Sequence, residues 1–325
     1  MSSSSIDSLA DAFPKGFSLT GGVPLEKQDL AASIIFTIAF VLLLPAIVWR
    51  WSRRCSRTWL LLRPTLVAMF RIATYIIRAI ESKGNYSEGL FIAEQVLLLA
   101  GLVPLLEPLV GLLRSHVRRY WTPVPPSQQT EEQRRGDLLA RALRILQLAV
   151  FVALILAIVA GTKAGSATSD PNSADELRHY RYATIGLSIF ILGVTAIVNG
   201  AIFLRDSLPL SGTLYIFGMC GLLLIPNVYK LVVSLHPPGM FSVGTKTAFY
   251  LLSALPEWLA IVLYFSVNLN DLFAVQETSW KDKVEKKMKK GAWPEGLGYV
   301  PRDEYERRES GGQYEMGMQQ QGWKA

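Results

Sequence analysis

The residues of this chain that could do chemistry are ionisable side chains lodged inside long apolar stretches. Arg71 and Arg78 stand seven residues apart in one such stretch, and at about 100° per residue they share a helix face with Tyr75 between them. Glu81, three residues past Arg78, is within reach of an ion pair along the same helix. The next stretch carries Glu94 and Gln95, then Glu107 between Pro104 and Pro108, where the prolines free backbone carbonyls and favour a kink. Further on, Asn227, Tyr229 and Lys230 follow Pro226, and Glu257 sits between Pro256 and Trp258. A charge near a membrane-helix centre costs about 2.5–3.5 kcal/mol on insertion scales, so it faces a partner or a water-filled cavity. Counting along the helices sets Arg71 level with Glu257, and Arg78, Glu94 and Lys230 together one level further out. The chemistry this suits is recognition of an ionisable amphipathic molecule in a polar cavity between the second, third, sixth and seventh helices. Arg71, Arg78 and Lys230 suit an anionic headgroup, Glu94 and Glu257 an amine, with Tyr75 and Gln95 beside them. Glu94, Glu107 and Glu257 are the candidates for coupling such binding to protons.

Other chemistries lack their parts. His116 falls on one side of the membrane and His179 and His236 on the other, so no zinc site and no pair of haem ligands is expected. There is no phosphate-cradling Gly-rich loop and no G-x-S-x-G elbow, so the chain is read as a non-enzyme without cofactor or metal. Cys220 lies in an apolar stretch and Cys55 in an Arg-rich turn, which makes Cys55 a candidate for S-acylation and excludes a disulfide framework.

The elements that must position these residues follow from composition. Of 325 residues 50% are apolar and 18% charged, against about 25% charged in an ordinary soluble protein. The apolar residues gather in runs that match a bilayer core of about 20 helical residues. The runs predict an all-α polytopic membrane protein with spans over 30–51, 59–81, 89–113, 139–161, 182–204, 210–234 and 245–269. Residues 1–29 form an outer tail, 30–269 the seven-helix domain and 270–325 a cytoplasmic tail.

Basic residues set the orientation. Ten arginines fall in the connections on one side, at 50, 53, 54, 57, 114, 118, 119, 134, 135 and 205, and six lysines follow between 281 and 290. Only Lys15, Lys27, Lys83, Lys163, Arg178, Arg181 and Lys246 fall on the other. Sixteen against seven predicts N-terminus outside and C-terminus inside. The basic balance is thereby assigned to membrane orientation, and no nucleic-acid partner is expected. Asn85-Tyr86-Ser87 then lies outside as a formal glycosylation sequon in a very short loop. The connections 122–137 and 162–175 read as flexible linkers. Trp280, Val284 and Met288 recur among lysines as a basic amphipathic segment near 280–290, and the rest of the tail reads as disordered.

Two stretches carry a family resemblance. Thr74-Tyr75-Ile76-Ile77-Arg78, a polar turn, and then Phe91-Ile92-Ala93-Glu94-Gln95-Val96-Leu97-Leu98-Leu99 with Pro104 beyond resemble helices two and three of the fungal lipid-translocating exporter family, the seven-helix resistance-to-aminocholesterol-like proteins. Asn227-Val228-Tyr229-Lys230 and Phe249-Tyr250-Leu251-Leu252-Ser253-Ala254-Leu255-Pro256 are similar to that family's last two helices. Lys230 stands where the family has Arg, Val233 where it has Glu, and Ser253 where it has Asp. The resemblance implies a divergent member, a seven-helix N-out plasma-membrane protein acting in lipid movement and in stress from membrane-active compounds. Its partners would be membrane lipids and an amphipathic sphingoid-base, sterol-like or phospholipid molecule. The alternative reading is a seven-helix receptor or stress sensor of a non-rhodopsin-like class, signalling to a cytoplasmic protein through the loop 114–138 and the C-terminal tail. A scaffold acting through that tail is the third.

Overall fold

Hydrocarbon offers no partner to a backbone amide, so an apolar run of bilayer length satisfies its own polar groups as a helix. In the computed structural model, which describes residues 20–53, 56–84, 87–118, 131–166, 171–206, 209–236, 242–277 and 279, the described residues are helical with short connections and no strand. Among the described residues, seven helical segments are long and apolar enough to cross a membrane: Glu26–Ser52, Trp59–Ser82, Gly89–Arg118, Leu138–Ala164, Asn172–Arg205, Leu210–Leu235 and Val243–Ser266. They are called spans one to seven below, and all lie in one compact unit. The first begins four residues earlier than the hydropathy suggests, at Glu26, which brings Asp29 inside it.

Three spans are interrupted. The first breaks at Leu42–Leu43 ahead of Pro45, between the helices Glu26–Val41 and Leu44–Ser52. The third is two helices, Glu88–Ala100 and Leu106–Arg118, joined through a 3₁₀ turn at Val103–Leu105. Pro104 in that turn has no N–H to continue the upstream ladder. In the seventh, the π-helical turn Tyr250–Ala254 precedes Pro256. Pro226, by contrast, is accommodated inside the continuous helix Leu210–Leu235.

Spans four and five belong to two 36-residue helices, Glu131–Ser166 and Pro171–Asp206. At about 1.5 Å per residue each is roughly 54 Å long, well beyond a core of about 30 Å. The linkers expected over 122–137 and 162–175 are therefore partly helix. Their Glu, Gln, Arg and Ala residues are good helix formers, and Pro171 occupies the first helical position, where its missing N–H costs nothing.

Packing is central on span three, 72% buried, and peripheral on span one, 17% buried. The second half of span four shows how close packing is reached without a large buried side chain. Its inward stripe is Ala153, Ala157, Ala160 and Ala164, while Phe151, Ile155 and Ile158 face outward. A Cβ at Gly161 would lie 2.6 Å from the backbone of Val96, so spans three and four meet backbone to backbone. Small residues at the seam let helices approach closely in lipid, where packing rather than hydrophobic exclusion holds them.

Candidate functional site

Arg78 is the centre of the first polar group. Its Nε donates to Asp29 Oδ1 at 3.2 Å and to the Tyr250 hydroxyl at 3.1 Å. Nη1 donates to Glu94 Oε1 at 2.6 Å, and Nη2 to Asp29 Oδ1 at 2.9 Å and to the Gly21 carbonyl. Lys246 takes the other Asp29 oxygen at 2.6 Å, and the backbone amide of Leu25 also donates to it. Four spans are tied here: the first by Asp29, the second by Arg78, the third by Glu94 and the seventh by Lys246 and Tyr250. All four ionised groups and the Tyr250 phenol are buried. Ion pairs out of water are costly unless every donor and acceptor is placed, and the planar Arg fork is what can reach partners on three sides.

Gly21 is required at this place. Its φ is +85°, and an added Cβ would press on the Arg78 guanidinium and the Phe249 ring.

A second group lies one to two turns deeper. Arg71 pairs with Glu257, and Lys230 reaches the other Glu257 oxygen at 3.7 Å. Ser253 donates to the same Glu257 oxygen at 3.2 Å. The break in span three explains the second cation. A helix that ends at Ala100 has carbonyls in its last turn with spare acceptor capacity, Leu97 taking only the Gly101 amide from the backbone, and its terminus carries partial negative charge. Arg71 Nη1 donates to the Leu97 carbonyl at 3.2 Å and Lys230 Nζ to the Leu98 carbonyl at 3.0 Å. Two side chains from neighbouring spans thus cap a half-helix inside the bundle.

An aromatic layer borders the two groups. Tyr75 stacks on Phe36 and Phe40 with ring centroids 5.4 and 5.8 Å apart, and Phe36 stacks on Tyr250 at 5.6 Å. Arg78 lies 4.8 Å over the Phe249 ring. Beside the second group, a narrow crevice runs between spans three, four, five and six. Lys230, Asn227, Arg181, Thr184 and Ser188 form its polar side, and Leu99, Leu102, Val103, Ala157, Ala160 and Ile185 its apolar side. It has room for about one water molecule.

Of the residues singled out from sequence, Arg71, Tyr75, Arg78, Glu94, Gln95, Lys230 and Glu257 are all buried. The level pairing of Arg71 with Glu257 and of Arg78 with Glu94 is present. Lys230 is not at the Arg78 level; it lies with Arg71 and Glu257, because the end of the broken helix draws it there. The charged side chains of spans two, three, six and seven pack on one another, and the crevice opens instead on spans three to six. Glu81 does not pair with Arg78, whose donors are engaged elsewhere. Glu107 pairs with Arg63, towards the other end of the bundle. Cys55, Asn85 and the segment 280–290 lie outside the described residues.

Sequence reasoning did not place Asp29, Lys246 or Tyr250 in the site, and it assigned Arg181 and Lys246 to the outer segments. Arg181 is buried and donates to Thr20 at 2.9 Å. One signal was available for Asp29: an acid inside the first turn of an apolar run, aligned with a basic residue at the start of another.

Comparison with curated proteins yields no match. A family model described as "Domain of unknown function (DUF7702)" matches residues 26–271, from the start of the first span to beyond the end of the seventh. The match takes in every ionised residue of both polar groups, and the chain belongs to the DUF7702 family.

Proposed function

We propose that this integral membrane protein binds an amphipathic, lipid-like molecule and passes it between leaflets, with the headgroup received at the crevice beside Lys230. The supporting observation is the broken third span. Interrupted helices whose ends meet charged side chains at depth are how membrane proteins build polar binding sites without exposing backbone to lipid. Here Lys230 and Arg181 offer positive charge, Thr184, Ser188 and Asn227 offer hydrogen bonds, and the leucine and alanine wall suits a chain. An anionic headgroup is the chemistry they favour, and the resemblance to lipid-translocating exporters points the same way. The crevice is narrow, so a headgroup enters only as spans three to six part. The reading takes the N-terminus as outside, the C-terminus as cytoplasmic and the plasma membrane as the location.

The test is reconstitution in proteoliposomes with fluorescent phospholipid and sphingoid-base analogues, comparing wild type with Lys230→Gln and Asn227→Ala after both variants are shown to fold. Movement of the phospholipid analogue in wild type that falls at least several-fold in Lys230→Gln supports the reading. Faster movement of the cationic sphingoid base would transfer the headgroup role to Glu257 and Glu94. No movement of either with folded protein would reject translocation and favour the receptor reading.

A further inference from the structure

Among the described residues, Glu81 is a carboxyl beside Arg78 that the network above leaves out. Its residue is 1% exposed, and neither carboxylate oxygen meets a hydrogen-bond donor among the described residues. The second oxygen of Glu94 is in the same condition. The two carboxyls are side by side, within hydrogen-bonding range of each other. Two facing acceptors with no donor between them repel, and an unmet acceptor out of water costs about 1–3 kcal/mol, more when charged.

Among the described residues no donor reaches these three oxygens. Arg78 from span two faces this pair, and Asp29 from span one and Tyr250 and Lys246 from span seven join it through Arg78 and Asp29. The phenol of Tyr229 on span six lies within electrostatic reach of Arg78 and of Arg181 on span five. Arg78 gives Nε, Nη1 and Nη2 to Asp29, Tyr250, Glu94 and Gly21, and Lys246 is held by Asp29. Counting Asp29, Glu81 and Glu94 against Arg78 and Lys246, three acids face two bases. One proton placed between Glu81 and Glu94 supplies the missing donor and balances the group. Among the described residues no three His, Cys, Asp or Glu side chains converge as metal ligands.

We infer that Glu81 and Glu94 share one proton, forming a proton-binding site built across spans two and three. Protonated, the pair is a hydrogen bond that joins the spans beside Arg78. Deprotonated, it is a buried like-charge contact that pushes them apart. The site stands independently of lipid binding.

The test uses the purified full chain in nanodiscs. Infrared spectroscopy at neutral pH is expected to show the carbonyl band of a protonated carboxyl, shifted by deuterium exchange and absent from both Glu81→Gln and Glu94→Gln. In either variant the remaining carboxylate has an amide donor and no longer needs the proton. Thermal unfolding gives a second readout. The folded pair keeps a proton that unfolded carboxyls release above about pH 4.3, so the folded state holds more protons and stability falls as pH rises. Wild-type Tm is therefore expected to decline with rising pH, by a trend that Glu81→Gln removes. No protonated-carboxyl band in wild type, a band that survives in either variant, or the same pH trend in wild type and Glu81→Gln each overturns the inference. So does a Tm that rises on replacing choline with sodium in wild type alone, which would make the shared ligand a sodium ion.

Discussion

Arg78 ties three other spans together, because oxygens of Asp29, Glu94 and Tyr250 accept from one guanidinium that also lies over the Phe249 ring. Removing Arg78 strands Glu94 as a buried carboxylate, while Asp29 keeps Lys246 and the Leu25 amide; breaking a buried pair from one side costs about 3–5 kcal/mol. Arg78→Ala is expected to lose stability of that order in a reversible unfolding titration. Adding Glu94→Gln should recover part of the loss, since the stranded charge goes. If the double variant is no more stable than the single, the Glu94 contact contributes nothing. Arg71, Arg78, Glu94 and Glu257 were legible in the sequence because a charge deep in an apolar run has no bland explanation. Asp29, Lys246 and Arg181 were not, because a charge at the end of such a run usually faces water. Only the arrangement of neighbouring spans shows that these ends are covered.

Among the elements, the interrupted spans and the alanine seam carry the function of positioning. Gly161 faces the Val96 backbone, so Gly161→Leu forces spans three and four apart at the level of the crevice. Overpacking of this kind costs about 1–3 kcal/mol. Ile158→Leu, on the lipid face, serves as the control and should leave thermal stability unchanged. The π turn at Tyr250–Ala254 amounts to one extra residue in an α-helix, a device often found at functional sites. Leu252 is in that turn and half exposed to lipid. Deleting Leu252 is expected to straighten the helix and leave the protein expressed and monodisperse, whereas deleting Val262 from the regular part shifts Tyr264 and Phe265 off the core. Equal damage from the two deletions would mean the π turn absorbs nothing. Pro104 and Pro256 announced the two deep interruptions in sequence. That the end of the first half of span three would be capped by Arg71 and Lys230 was not legible, because capping of this kind joins residues 26 and 132 positions apart.

At the scale of the molecule, seven spans were legible from hydropathy alone, because a bilayer imposes one length on every crossing. The helical extensions of spans four and five were not, since polar helix formers outside the bilayer look like linker. The buried charge is also uneven along the bundle. Asp29, Glu94, Arg181 and Lys246 lie in the first halves of odd-numbered spans, and Arg78, Glu81 and Lys230 in the second halves of even-numbered ones. All are therefore towards the end that holds Gly21 and the turn after Ser82. At the opposite end Arg50 caps the seventh span, donating to the Phe265 and Ser266 carbonyls at 2.8 and 2.7 Å. Burial of Arg181 and Lys246 removes two of the seven basic residues assigned to the outer side, and burial of Arg118 only one of the sixteen assigned to the inner, so the charge bias among the rest is stronger than the raw count. The expected outcome is that an epitope at the N-terminus is stained on intact cells and one at the C-terminus only after permeabilisation. With that orientation, the Glu81–Glu94 pair lies nearer the outer solution, and external rather than internal alkalinity should loosen the bundle. The reverse staining pattern would turn the whole network towards the cytoplasm and reverse that dependence.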